Sequence, residues 1–284
     1  MTIIDGKKTS AETRLDIKAE VDALKSQGIT PGLAVIIVGT DPASQVYVRN
    51  KGRGCDEVGI YSEIIELPEQ TTESELLEII DKLNERREIS GILVQLPLPK
   101  HISEKAVTDR ILPEKDVDAF SDANVGKIML GSPAFLPCTP AGVMELLERY
   151  NIDVSGKECV VVGRSNIVGK PMAMLLLAQN GTVTICHSRT KDLAEHTKRA
   201  DILVVAIGRA GMITGDMIKD GAVVIDVGIN RGADGKLCGD VDFESASAKA
   251  SYITPVPGGV GPMTITMLLK NTVRAARIQN NTGV

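Results

Sequence analysis

The stretch Glu158-Cys-Val-Val-Val-Gly-Arg-Ser-Asn-Ile-Val-Gly-Lys-Pro171 sets the tightest limits on what this chain can fold into. Val160 to Val162 is a short β-branched run of the kind buried in a parallel sheet. Gly163 opens a tight turn, and Val168 to Gln179 continues as an apolar helix. A strand that passes through a glycine turn into a helix aims unpaired N–H groups and a positive dipole end at an anion, as dinucleotide-binding folds do with phosphate. Gly163-x-Ser165-x-x-x-Gly169 is longer by one residue than G-x-G-x-x-G and has Ser in place of the middle glycine. By itself, therefore, the turn is equally compatible with an ordinary βα connection.

The next strand, Thr182 to Cys186, shifts the balance. It ends in His187-Ser188-Arg189-Thr190, where an NAD-binding chain would place Asp or Glu for the ribose hydroxyls. A hydroxyl and a cation stand there instead, and Arg164 adds a second cation inside the turn. Such groups hold a 2′-phosphate that a carboxylate would repel, which favours NADP over NAD. The competing explanation is that Arg164 and Arg189 are solvated surface charges.

At 284 residues the chain is long enough for two domains. Strand and helix alternate along it. The helix Ala11–Gln27 has Ser10 as its cap and Leu15, Ile17, Val21 and Leu24 as its apolar stripe. Leu33–Val38 reads as a strand buried on both faces, Ser44–Val58 as a helix, and Ile60–Leu67 as a strand. A helix opened by Thr72 or Ser74 follows, then a strand from Ile92 to Gln95. Pro137-Cys-Thr-Pro140 reads as a linker into a second domain. Strands at 202–207, 223–227 and 252–254 and a last helix from Met263 complete it. The pattern is α/β with mostly parallel sheets.

An aromatic content of 2% with no Trp makes the cores aliphatic, and the net charge of −5 argues against a nucleic-acid partner. No apolar run reaches the ~18 residues of a membrane span, and the N-terminus lacks the apolar core of a signal peptide. The five cysteines are dispersed without a C-x-x-C pair, and the three histidines do not cluster. These features point to a reduced, cytoplasmic protein without a structural metal.

Several stretches carry chemistry. Tyr47 and Lys51 stand one helical turn apart and share a face. A partly buried Lys beside a phenol has a lowered pKa and exchanges protons near neutrality; a snorkelling Lys beside a core Tyr is the plainer account. Gly52 and Gly54 each cost about 1 kcal/mol relative to Ala inside a helix, which implies close approach by another group or a local irregularity. Gln95 is a lone polar side chain at the carboxyl end of a buried strand, where open parallel sheets bind ligands; it could equally cap a loop. Asp116 and Asp118 offer two carboxylates in a turn, where most such pairs are solvated or cap backbone N–H groups. Pro257-Gly-Gly-Val-Gly-Pro262 is a stiffened glycine turn, suited to bringing bare backbone against a planar ligand or to acting as a hinge.

Together these segments resemble one family. Tyr47-Val-Arg-Asn-Lys51, Gln95-Leu-Pro-Leu-Pro99, Lys115-Asp-Val-Asp118, Pro137-Cys-Thr-Pro140, Gly163-Arg-Ser-Asn-Ile-Val-Gly169 and Thr254-Pro-Val-Pro-Gly-Gly-Val-Gly-Pro-Met-Thr264 occur in this order. They resemble the bifunctional methylenetetrahydrofolate dehydrogenase/methenyltetrahydrofolate cyclohydrolases over nearly the whole chain. The resemblance implies two α/β domains with a folate cleft between them. The first would span 1–138, completed by a helix over 263–284; the second, a Rossmann-like NADP-binding domain, would span 139–262. It implies NADP-dependent oxidation of 5,10-methylenetetrahydrofolate, then hydrolysis to 10-formyltetrahydrofolate, in a cytoplasmic homodimer serving purine, histidine and methionine biosynthesis. Carried onto this sequence, Lys51, Tyr47, Gln95 and Asp118 are the catalytic set. Tyr47, Gln95, Leu96, Pro97, Asp118, Pro257, Gly258 and Gly259 take the folate. Gly163, Arg164, Ser165, Ile167, Ser188 and Ile229 take NADP. Ala119 stands where the family usually has glycine. The alternatives are a dehydrogenase without the cyclohydrolase step, a silent NADP- or folate-binding protein, and a shikimate-type dehydrogenase. The last has no use for the Gly258 turn or the Gln95 stretch.

Overall fold

The computed structural model describes residues 1–232 and 235–282, so the last two positions expected in the C-terminal helix lie outside the described residues. In chain order the elements are β1 (Thr2–Ile3), α1 (Gly6–Ser26), β2 (Gly32–Val38), α2 (Pro42–Val58), β3 (Tyr61–Leu67), α3 (Glu73–Glu85), β4 (Gly91–Val94), α4 (Glu104–Arg110), α5 (Asp122–Met129) and α6 (Cys138–Arg149). Then come β5 (Glu158–Val162), α7 (Gly169–Ala178), β6 (Thr182–Cys186), α8 (Leu193–Thr197), β7 (Ile202–Val205), β8 (Val223–Asp226), β9 (Asn230–Arg231), β10 (Leu237–Cys238), α9 (Phe243–Ser247), β11 (Tyr252–Ile253) and α10 (Val260–Gln279). They form two compact units, Glu12–Cys138 with Ile265–Val284, and Met1–Ala11 with Thr139–Thr264. The first eleven residues thus group with the 139–264 unit. The reason is β1, which pairs with β11 over two residues and is too short to leave a periodic signal.

The 12–138 unit is built on a parallel sheet of order β3-β2-β4. All of β2 is buried, which is why it reads as an unbroken apolar run. Leu76, Ile80 and Leu83 of α3 pack on it with Ile36, Ile92 and Ile102. Thr72 caps α3 in a reciprocal box with Glu75. The other unit holds a six-stranded sheet, β1-β11-β8-β7-β5-β6, whose pairings are all parallel, and an antiparallel β9–β10 pair. Its core gathers Val160, Val162, Leu203, Val205, Val224 and Ile253. In both units the next two strands of the chain lie on opposite sides of the one they follow: β3 and β4 flank β2, and β6 and β7 flank β5. That reversal places a ligand crevice past the carboxyl ends of β2 and β4, and past those of β5 and β7.

Some local expectations change. Helix α1 begins at Gly6, and Asp5 caps it through the Lys8 N–H at 3.0 Å. Ser10 therefore lies inside the helix, with its hydroxyl donating to Pro262 O at 3.4 Å. Leu15 points to solvent, whereas Ile17, Val21 and Leu24 are buried. The supposed linker at 137–140 is largely the first turn of α6, where Pro140 costs no helical hydrogen bond. Helix α2 runs unbroken through Gly52 and Gly54. A methyl group at Gly54 would sit 3.3 Å from Leu269 Cδ1 and 3.4 Å from Ile265 Cγ2, and one at Gly52 would sit 3.2 Å from Ile64 Cδ1. Close approach accounts for both glycines.

Gly91, the first residue of β4, lets the 115–118 segment lie directly on the sheet. A Cβ there would lie 2.6 Å from Val117 Cγ1, inside any real contact. Gly91→Ala is expected to push the 115–118 segment off β4 and to lower unfolding free energy by about 1–3 kcal/mol. A urea midpoint unchanged from the wild type would contradict that packing.

Candidate active site and cofactor turn

Helix α2 presents Tyr47 and Lys51 one turn apart, and burial is graded along that face. Lys51 is 8% exposed and Tyr47 37%. The Lys51 Nζ donates to Gln95 Oε1 at 2.9 Å, and Gln95 Nε2 donates to Leu96 O at 2.6 Å. The second bond fixes the amide orientation, so its carbonyl faces the lysine. Gln95 follows β4 directly, at the carboxyl end that the strand order marks. The Leu96–Pro97 peptide is cis, and Pro97 is exposed.

The two carboxylates of the 115–118 segment have separate tasks. Asp116 accepts the N–H groups of Phe120 and Ser121 at 3.2 and 2.9 Å and Asn124 Nδ2 at 2.9 Å, so it is a local brace. Asp118 is left to face Lys51 and the Cys138 thiol. Lys115 is buried and donates to Leu83 O and Arg86 O at 3.0 and 2.6 Å, at the C-terminal end of α3 where a cation is favoured. Ala119, beside Asp118, is buried with φ +57°, a conformation that a glycine would adopt without strain.

Burial dominates the electrostatics. It pushes the Lys51 pKa down, against the pull of the Asp118 and Cys138 charges. It pushes Asp118 up, against the nearby Lys51 ammonium and the thiol hydrogen bond. The Tyr47 phenol is also raised by burial. A lowered pKa raises the share of neutral amine at a given pH, and that neutral amine, held by one acceptor, has a lone pair for a proton.

The sequence reading missed Asn271. Its Nδ2 donates to Val117 O and Leu136 O at 2.8 Å each and lies 3.8 Å from Cys138 Sγ. It therefore ties α10 to the backbone beside Asp118. A polar residue in the buried stripe of an amphipathic helix was its only sequence signal.

In the other unit, Gly163 has φ +136°, and a Cβ there would run into Ala206 O. A side chain at Gly169 would strike the Gly163 carbonyl, so both glycines of the motif are sterically required. Ser165 Oγ accepts the N–H groups of Val168 and Gly169 at 3.2 Å each, which closes the helix start itself. The N–H groups of residues 164–167, just ahead, have no acceptor among the described residues. The open donors thus lie in the turn, one step before the place the sequence suggested. Arg164, Ser165 and Ile167 are exposed around it. Ser188 is exposed at the end of β6, the neighbour of β5. Ile229 is 47% exposed and follows β8. A bare-backbone cradle with open donors and a flanking guanidinium fits a dinucleotide phosphate. Pro257 is exposed, and Gly258, φ +106°, accepts the Lys7 N–H at 3.1 Å, while Gly259 is buried.

Two family models cover almost all of the chain. The tetrahydrofolate dehydrogenase/cyclohydrolase catalytic domain matches residues 4–118, and the NAD(P)-binding domain of the same family matches 137–280. The chain belongs to the tetrahydrofolate dehydrogenase/cyclohydrolase family.

A relative named bifunctional protein FolD, from Moorella thermoacetica, is 66% identical over 275 residues, 97% of this chain and 98% of its own. The crystal structure of the FolD dehydrogenase/cyclohydrolase from Campylobacter jejuni superposes with a TM-score of 0.96 at 53% identity, covering 98% of this chain and 99% of that one. The Trypanosoma brucei FolD, solved with NADP cofactor and an inhibitor, gives a TM-score of 0.93 at 41% identity over 98% of each chain. The resemblance carried by the six sequence segments is thereby borne out, as are the two-unit α/β fold and its parallel sheets. No described helix is long and apolar enough to cross a membrane.

The thiols of this family member differ in access. Cys55, Cys138, Cys159 and Cys186 are buried, and burial pushes Cys55 up to about 12 and Cys159 up to about 11. Cys138 is raised well above the ordinary thiol range. Only Cys238 is partly exposed. A disulfide reagent at pH 8 is expected to titrate about one thiol in the native protein and all five after unfolding. Rapid native reaction of a second thiol would show that one of the four buried thiols is open to solvent.

Proposed function

We propose that this chain is a bifunctional one-carbon folate enzyme. It oxidises 5,10-methylenetetrahydrofolate to the 5,10-methenyl cation with NADP+ and hydrolyses that cation to 10-formyltetrahydrofolate. Support comes from buried Lys51, bonded to Gln95 and faced by Asp118, in a chain two-thirds identical to a relative named bifunctional. The finer assignments that accompany this reading are a homodimer, a cytoplasmic setting, and a role in supplying purine, histidine and methionine biosynthesis.

When bound, NADP+ supplies the hydride acceptor. Loss of hydride from the methylene bridge leaves a cation that the adjoining nitrogens stabilise, so this step asks the protein chiefly for positioning. Tyr47 is assigned to placing and stacking on the folate, and Asp118 to binding the polar edge of the pterin. Leu96, Pro97, Pro257, Gly258 and Gly259 are assigned to substrate contacts. Gly163, Arg164, Ser165 and Ile167 would take phosphate groups, Ser188 the ribose side and Ile229 the ring-bearing end.

Hydration of the cation releases a proton. Neutral Lys51 takes it from the attacking water as the C–O bond forms; the C–N5 bond then breaks, N5 takes up the proton from the Lys51 ammonium while the new hydroxyl loses its own to water, and the formyl group stays on N10. Gln95 holds the amine in place through one N–H and leaves its lone pair free. A base acts in its neutral form, so cyclohydrolase turnover rises with pH as Lys51 loses its proton. Because burial lowers the Lys51 pKa, that rise falls below the free-lysine value of about 10.4. Lys51→Met is expected to abolish cyclohydrolase turnover on preformed methenyltetrahydrofolate while NADP+ binding by calorimetry persists. Full turnover in that variant, or a limb at the free-lysine value in the wild type, would refute the assignment.

Cofactor choice is assigned to the 2′-phosphate. Arg164→Ala and Ser188→Asp are each expected to raise the KM for NADP+ by roughly tenfold or more, with little change for NAD+. Equal losses with both cofactors would instead place these residues away from the 2′-phosphate.

A further inference from the structure

Asp226 and Asp240 are outside the proposed catalytic set, yet Asp240 is wholly buried and Asp226 is only 3% exposed. A carboxylate is taken out of water only where hydrogen bonds replace its solvation. Asp240 has four. Its Oδ2 accepts the N–H groups of Ile207 and Gly208 at 2.7 and 3.0 Å, and its Oδ1 accepts Arg209 N–H and Asn230 Nδ2 at 2.7 and 2.8 Å. Asp226 accepts the N–H groups of Gly228 and Asp240 at 3.0 Å each and of Val241 at 2.9 Å. The two segments interlock through glycines as well. A Cβ on Gly228 would strike the Asp240 carboxyl, and a Cβ on Gly239 would strike that of Asp226.

The location gives this arrangement a function. Residues 207–209 follow β7, beside β5, on one wall of the crevice that the strand order creates. The turn touches the phosphate cradle: Gly163 is glycine because Ala206 O lies against it. Asn230 follows Ile229, after β8. Three consecutive N–H groups in a turn make a ready anion nest, and here all three are spent on Asp240. The 207–209 turn therefore has no N–H left for a phosphate, whereas the 164–167 turn keeps its own.

We infer that Asp240 is a positioning residue for the dinucleotide, tying the turn after β7 to the segment after β8 and leaving the phosphates to the Gly163 turn. The inference rests on the NADP-binding reading of this unit. Asp240 acts on binding geometry alone, since all four of its hydrogen bonds go to the protein's own N–H groups.

Asp240→Asn replaces one acceptor oxygen with an amide that opposes two N–H donors. Asn230→Ala removes the link between the two segments and keeps the three backbone bonds. Calorimetric titration with NADP+ is expected to show a dissociation constant raised at least tenfold in Asp240→Asn and about threefold or more in Asn230→Ala. Cyclohydrolase kcat/KM on preformed methenyltetrahydrofolate, assayed without NADP+, should stay within twofold of the wild type in both. Amide exchange at 207–209 should quicken in the ligand-free Asp240→Asn protein. NADP+ affinity within twofold of the wild type in a variant that keeps cyclohydrolase activity would overturn the inference. Parallel loss of NADP+ binding and cyclohydrolase activity in both variants would overturn it too, by making the network a general folding requirement. A wild-type protein that does not bind NADP+ would instead sink the underlying reading.

Discussion

Removal of one amino group from water is the constraint on which the rest of the 12–138 unit turns. Lys51 is held at 8% exposure on a helix whose two following glycines admit Ile64, Ile265 and Leu269 against its backbone. Its long stem is buried and its nitrogen meets one amide oxygen rather than a directly hydrogen-bonded carboxylate. Desolvation then outweighs the attraction of the nearby charges, and the lysine pKa is lowered, the direction that the proposed role as a base requires. Gln95 suits this role because an amide accepts a hydrogen bond without bringing a full charge. Asp118 is close enough to be felt, but is itself shifted toward its neutral form.

That balance needs Asp116 and Asp118 to be held to separate partners, so that Asp118 is the carboxylate Lys51 feels. The 115–118 segment does so with three anchors. Lys115 is drawn to the end of α3, Asp116 turns back to cap the following backbone, and Asn271 holds the Val117 carbonyl. Asp118 is what remains. Gly91 lets the segment lie on β4 close enough for its position to be set by packing.

The 139–264 unit solves a different problem with similar means. In the proposed reading its glycine turn offers N–H groups to an anion, and those groups stay unpaired while their surroundings are packed. Ser165 closes the helix start, and Ala206 O packs where Gly163 has no side chain. Asp240 consumes the competing N–H groups of the neighbouring turn. One set of donors is saturated and another left open, and that difference directs a phosphate to one place.

The sequence alone determined the strand–turn–helix units, the buried strand β2, the run 160–162, and the six ordered segments that mark the family. These depend on periodicity and on glycine and proline, whose backbone effects are local. It also singled out Lys51 and Gln95, because a lone polar group at a strand end or beside a phenol stands out in one dimension. Only the tertiary structure decided that Asp116 is a brace while Asp118 faces Lys51, since identical carboxylates two residues apart differ only in what surrounds them. It alone revealed Asn271, Asp226 and Asp240, and assigned β1 to the six-stranded sheet. Each acts through partners distant in the chain, from 14 to 154 residues apart for bonds such as Asp226 to Asp240 and Asn271 to Val117. Burial, which sets the lysine's proton affinity, is a sum over those distant partners, and no local pattern carries it.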